Sequence, residues 1–118
     1  MNSYNKGKWA EFLARIYLNF HGYHCVYCNY ITGKGTTAGE VDLIMRKGKT
    51  LAFIEVKLRK DLYSAAYAIK ETQKQRILHG ALSFMKRYPQ YQEYDMRFDA
   101  VLVCLPFSIY HLKNAWTA

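Results

Sequence analysis

Two apolar runs of strand length, Gly39-Glu40-Val41-Asp42-Leu43-Ile44-Met45 and Leu51-Ala52-Phe53-Ile54-Glu55-Val56-Lys57, flank the turn Arg46-Lys47-Gly48-Lys49. Such runs around a Lys/Gly-rich turn predict a β-hairpin. Alternate side chains of a strand share a face. Glu40 and Asp42 therefore project together on the first strand, and Glu55 and Lys57 together on the second. Paired across the turn, three carboxylates and an ammonium would gather on one surface of an otherwise Val/Ile/Leu/Phe sheet.

Neighbouring carboxylates repel, and one has its pKa pushed up unless a cation lies between them. Oxygen ligands on a rigid sheet suit Mg²⁺ or Mn²⁺, which keep several waters and take one or two protein carboxylates. A metal so held polarises a phosphodiester, lowers the pKa of a bound water and stabilises developing charge. Lys57, two residues beyond Glu55, could position that water or stabilise an oxyanion. The same pattern also fits the solvated face of an amphipathic hairpin, and the hairpin alone does not decide between the two.

The remaining composition narrows the partner. The 118 residues predict one domain, 1–118, able to bury about two-thirds of its unfolded surface. Seventeen basic against nine acidic residues give a net charge of +8, and Glu11, Glu40, Asp42 and Glu55 are four of those nine acids. A basic surface around an acidic centre suits a nucleic acid approached through a metal, although excess charge also serves solubility. No apolar run approaches the roughly 20 residues of a membrane span, so no membrane partner is expected. Nor does the opening stretch read as a signal peptide. An odd cysteine count, three, fits a reducing compartment, and the expected location is cytoplasmic.

From about Asn5 to Phe20 an apolar stripe of Trp9, Phe12, Leu13, Ile16, Tyr17 and Phe20 predicts a helix. Its other side, Gly7, Ala10, Glu11, Ala14 and Leu18, is mostly small and would let the backbone approach a sheet, carrying Glu11 inward. A solvated Glu11 beside Arg15 is the alternative. Gly22 is placed to cap the helix C-terminus. Residues 23–31 read as a strand containing Cys25 and Cys28, with His21 and His24 nearby. Three residues apart on a regular strand, the two thiols should face opposite ways, which argues against a zinc site, and the pair does not open a helix after a strand, which argues against a thioredoxin-like one.

The Gly-rich stretch 32–39 lacks the Gly-Lys-Ser/Thr ending of a phosphate-binding loop and is expected to form a mobile loop at the mouth of the site. A helical pattern runs from about Leu62 to Tyr88, with a break near 69–71. Lys74 stands at the end of its apolar stripe, with Gln73, Gln75 and Arg76 around it. Pro89 stops the helix. Residues 96–105 read as an interior strand, 109–112 as a short closing strand, and Ala115-Trp116 as an apolar plug.

Asp42, twelve intervening residues and Glu55-Val56-Lys57 resemble the PD-(D/E)xK nuclease signature, in the variant where Gly-Glu-Val-Asp-Leu-Ile replaces Pro-Asp. The likeness extends over nearly the whole chain, through Gly7, Glu11 and Ala14, Gly22-Tyr23, Asn29, Phe53-Ile54-Glu55-Val56-Lys57-x-Arg59, Lys74-Gln75, Arg97-Phe98-Asp99 and His111-x-x-Asn114-Ala115. Together these resemble the YraN-type family of predicted endonucleases, distant relatives of archaeal Holliday junction resolvases.

The resemblance implies an α/β fold with a restriction-endonuclease-like core, a mixed β-sheet flanked by helices on both faces. It implies a metal-dependent endonuclease hydrolysing phosphodiester bonds in branched or structured DNA. Asp42 and Glu55 would hold Mg²⁺ (or Mn²⁺), Lys57 would assist the attacking water, and Glu11 would complete the site. Glu40 would bind main chain or a second metal. Lys34, Lys49, Arg59, Lys74, Gln75, Arg76 and Arg97 are the candidate DNA contacts. A homodimer is expected by analogy with resolvases, since a four-way junction is two-fold symmetric, with Trp9, Phe12, Ile16 and Phe20 as its interface. The competing class is a non-catalytic nucleic-acid-binding module on the same fold.

Overall fold

The computed structural model describes residues 3–35, 38–60, 69–104 and 108–116. In chain order these form α1 (Ser3–Phe20), β1 (His24–Thr32), β2 (Gly39–Lys47), β3 (Thr50–Arg59), α2 (Glu71–Arg87), a 3₁₀ turn (Pro89–Tyr91), β4 (Asp95–Cys104) and β5 (Ser108–Leu112). The helical reading of 62–68 lies outside the described residues.

One five-stranded sheet in the order β1-β2-β3-β4-β5 carries the fold. β3 and β4 are parallel, with α2 in the connection between them, and the other pairs are antiparallel. α1 lays Ala10, Ala14 and Leu18 on Leu43, Met45, Ala52, Ile54, Val101 and Val103. On the opposite face α2 packs Ile77, Ala81 and Phe84 against Ile44, Leu51, Phe53 and Phe98. This α/β arrangement, a mixed sheet with a helix on each face, is what a restriction-endonuclease-like core requires.

Local chemistry sets the boundaries. The small side of α1 is the side that meets the sheet, while Trp9, Phe12 and Phe20 on the aromatic stripe stay exposed. α1 ends in a Schellman motif. The amide of Tyr23 donates to the Leu18 carbonyl and that of Gly22 to Asn19, with Gly22 at φ 88°. α2 opens at Lys70, whose amide donates to Gln73 Oε1 at 3.3 Å, and stops before Pro89. β4 is interior and apolar on both sides beyond Asp99. Trp116 closes the α2 face by stacking on Phe98, with ring centroids 5.9 Å apart, while the Ala115 amide donates to the Phe98 carbonyl.

α2 meets β2 at backbone distance. A Cβ added at Gly39 would lie 2.7 Å from Gly80 Cα and 2.9 Å from the His79 carbonyl carbon, closer than packed carbon atoms come. The glycine opening the Gly-Glu-Val-Asp run thus lets the helix cross directly over the strand that carries Glu40 and Asp42. No helix among the described residues is long and apolar enough to cross a membrane.

Candidate active site

The hairpin of β2 and β3 is paired from Lys47↔Thr50 at its turn to Leu43↔Ile54, where the pairing stops. Beyond that point the strands splay. Asp42, the first residue in the fork, bridges it by accepting a 2.9 Å hydrogen bond from the Val56 amide. On the other side of β2, the pairing with β1 skips Asn29 and Asp42, and Asn29 takes a left-handed φ of 55°. Both strands therefore reverse their alternation here. Val41 and Tyr30 face α2, whereas Leu43 and Cys28 face α1. The irregularity puts Asp42 at the junction of the two faces.

Asp42, Glu55 and Glu40 line one cavity of about 170 Å³ with Gln73 and Arg76 of α2. Burial first, then the Glu55 charge, pushes the Asp42 carboxyl up to about 7, and the two acids are hydrogen-bonded. Burial also raises Glu55, against the lowering effect of Lys57. Lys57 Nζ lies 3.4 Å from Glu55 Oε1, and both side chains are only 13% exposed. Two half-desolvated carboxylates sharing a proton make a cation-seeking pair.

Glu40 is held differently. Its Oε2 accepts a 2.9 Å bond from Arg76 Nη2. Glu11 lies on the α1 side, in a second cavity of about 160 Å³ with Lys8, Phe12, Arg15, Cys28, Asn29 and Leu43. Burial raises its pKa, the Asp42 charge adds to this, and Lys8 and an Asn29 hydrogen bond oppose it. Among the described residues no three His, Cys, Asp or Glu side chains converge on a point that could hold a metal ion. What the fold assembles is a pair, Asp42 with Glu55, flanked by Glu40 pinned to Arg76 and Glu11 across the sheet. Two carboxylates are a donor set that Mg²⁺ accepts, completed by water.

The basic residues separate into near and far. Arg76 lines the cavity and Gln75 is exposed beside it on α2. Lys74 pairs with Glu71 at 3.7 Å and borders a third cavity, with Ala100, Leu102 and Trp116. Arg59 donates to the Leu58 carbonyl at the end of β3, and Lys34 is exposed in the loop before β2. Lys49 sits over the Tyr94 ring in the hairpin turn, seven residues and about 23 Å along the strand from Asp42. Arg97 is committed inward. It holds Asp99 through two 2.8 Å bonds and reaches Tyr23 Oη at 2.6 Å. Sequence reading left Asn29 without a role, and nothing in its local pattern marks a residue that only tertiary packing brings to a cavity wall.

A family model matches residues 10–103, a span that includes the whole fork and both helix faces. The chain belongs to the uncharacterised protein family UPF0102. This is the YraN-type family its motifs resemble. It is 40% identical over 112 residues to a UPF0102 protein of Paramagnetospirillum magneticum, covering 94% of this chain and 86% of that one. It is also 38% identical to a UPF0102 protein of Parvibaculum lavamentivorans, covering 97% and 83%. A third, from Rhodopseudomonas palustris, is 37% identical with coverage of 98% and 83%.

Proposed function

We propose that this UPF0102 chain is a metal-dependent endonuclease acting on branched or structured DNA. The observation that carries the reading is the half-buried Asp42–Glu55 pair at the strand fork, with Lys57 at 3.4 Å from Glu55. A bound Mg²⁺ or Mn²⁺ would supply a Lewis acid for a phosphodiester oxygen, held by Asp42 and Glu55. The chain's own residues do the rest. The Val56 amide fixes the Asp42 rotamer, and Lys57 offers positive charge and a proton donor where charge builds on phosphorus. Gln73 and Arg76 at the mouth present donors to a phosphate, and Glu11 restrains Asn29 at the bend from the opposite face. The basic surface favours DNA through phosphate contacts, and the expected setting is the cytoplasm.

The test is a labelled four-way junction incubated with Mg²⁺, using wild type and Asp42→Asn/Glu55→Gln. Metal-dependent cleavage by wild type, lost in a variant that still binds the junction, is the expected result. Salt-sensitive binding by both proteins with no cleavage by either would replace this reading with a non-catalytic binding module.

A further inference from the structure

The two thiols expected to face apart are together. Cys25 Sγ lies 3.2 Å from Cys28 Sγ. The reason is in the strand register. Cys25 pairs with Met45 and Cys28 with Leu43, two residues apart on β2, while their own spacing is three. The pairing shifts between Cys25 and Tyr27, a β-bulge that absorbs one residue. With the extra residue taken up at the bulge, both cysteines project onto the face where Met45 and Leu43 meet α1. β1 is an edge strand, Cys25 is exposed and Cys28 is half-buried. Arg15 Nη1 of α1 approaches Cys28 Sγ at 3.5 Å. Cys104, the remaining cysteine, is buried.

We propose that Cys25 and Cys28 are a reversible oxidation site, closing an intramolecular disulfide across the β1 bulge by exchange with a low-molecular-weight disulfide such as glutathione disulfide. Closure needs the sulfurs to move from 3.2 Å to about 2.0 Å. The exposed Cys25 thiolate attacks one sulfur of the oxidant, breaking its S–S bond and releasing one thiolate. Cys28, deprotonated, then attacks the Cys25 sulfur of the mixed disulfide and expels the second thiolate. Two cysteine thiols lose two electrons and two protons, and one disulfide is reduced to two thiols. Arg15 places positive charge beside the resolving sulfur. Partial desolvation, then the hydrogen bond to Cys28, pushes the Cys25 thiol up to about 11, so the exchange is slow at neutral pH and needs excess oxidant. Cys28 immediately precedes Asn29, the left-handed residue bonded to Glu11, so the link would stiffen the strand at the edge of the candidate active site.

The experiment is intact mass spectrometry of the full folded chain with excess glutathione disulfide, followed by non-reducing peptide mapping. The wild type should lose two hydrogens, carry a Cys25–Cys28 link, leave Cys104 reduced and revert with dithiothreitol. Cys28→Ser, which removes only the resolving thiol, should instead accumulate one glutathione adduct on Cys25. A wild type that accumulates that same adduct, or that stays fully reduced while Cys28→Ser is modified, would overturn the proposal. The readout is independent of nuclease activity.

Discussion

The Val56 amide reaches the Asp42 carboxyl at 2.9 Å, one residue past the point where β2 and β3 stop pairing. A side chain therefore takes over the donor that the missing ladder bond would have used. The same bond ties the half-buried acid of one strand to the neighbour of Glu55 on the other, which holds the two carboxyls together. Fork and acid pair are one construction, and that makes Asp42 costly to the fold.

The cost is pH-dependent. Asp42 is held at about 7, above its ordinary 3.8. The folded chain thus keeps a proton that the unfolded chain releases as pH rises from about 4 to 7. Stability from this group is complete below that window and lost as pH climbs through it. Without metal, wild-type Tm should fall between pH 5 and pH 8, and Asp42→Asn should melt about 4 °C or more above wild type at pH 8. Mg²⁺ should raise the wild-type Tm at pH 8 and leave the variant unchanged. Parallel pH profiles for the two proteins would rule this out.

Gly39 faces Gly80 with no room for a side chain. Gly39→Ala should destabilise by about 2 kcal/mol, because two backbones, not a flexible side chain, must give way. Gly80→Ala meets the Val41 Cγ2 methyl at 2.9 Å and the Glu40 backbone nitrogen only at 3.2 Å, looser than the backbone contacts at Gly39, and should cost less. Urea midpoints at constant m-value check the order.

Asp99 is fully buried and accepts from Arg97, from His111 Nε2 at 2.8 Å and from the Asn114 amide at 2.9 Å. Burial alone would raise its carboxyl, but the bonds from His111, Arg97 and Asn114 outweigh that and hold it below its ordinary 3.8. Its contribution is therefore full above about pH 4 and lost as pH falls through the folded value. Asp99→Asn should cost about 3 kcal/mol at pH 7, since Arg97 is left with half a partner. The loss should shrink in acid, as thermal melts from pH 7 down to 3 would reveal. A constant difference would count against the ionised form.

Arg76 occupies Glu40 at 2.9 Å. Arg76→Ala should weaken junction binding several-fold, flatten its salt slope by about one unit and tighten Mg²⁺ binding by releasing Glu40 beside the acid pair. Lys49→Ala, at the far end of the hairpin, should alter neither. Filter binding over a salt series, with calorimetry for the metal, reads both effects. An unchanged Mg²⁺ affinity in Arg76→Ala would show that Glu40 stays clear of the ion.

Periodicity and glycine placement made most of the fold legible. The hairpin, the small sheet-facing side of α1, the Gly22 cap, the interior β4 and the Trp116 plug all follow from local pattern, because each is decided within a few residues. The family motif likewise named Asp42, Glu55 and Lys57. Three matters needed the tertiary structure. Strict alternation separates Cys25 from Cys28, and only the β1–β2 register reveals the bulge that joins them. Arg97 reads as another surface cation until Asp99 and Tyr23 are seen to hold it. The four acids read as one cluster, but Arg76 pins Glu40 and the sheet places Glu11 in a different cavity. A sequence sets which residues can share a face. The splay of two strands and the crossing of a helix decide which of them meet, since those depend on contacts far apart along the chain.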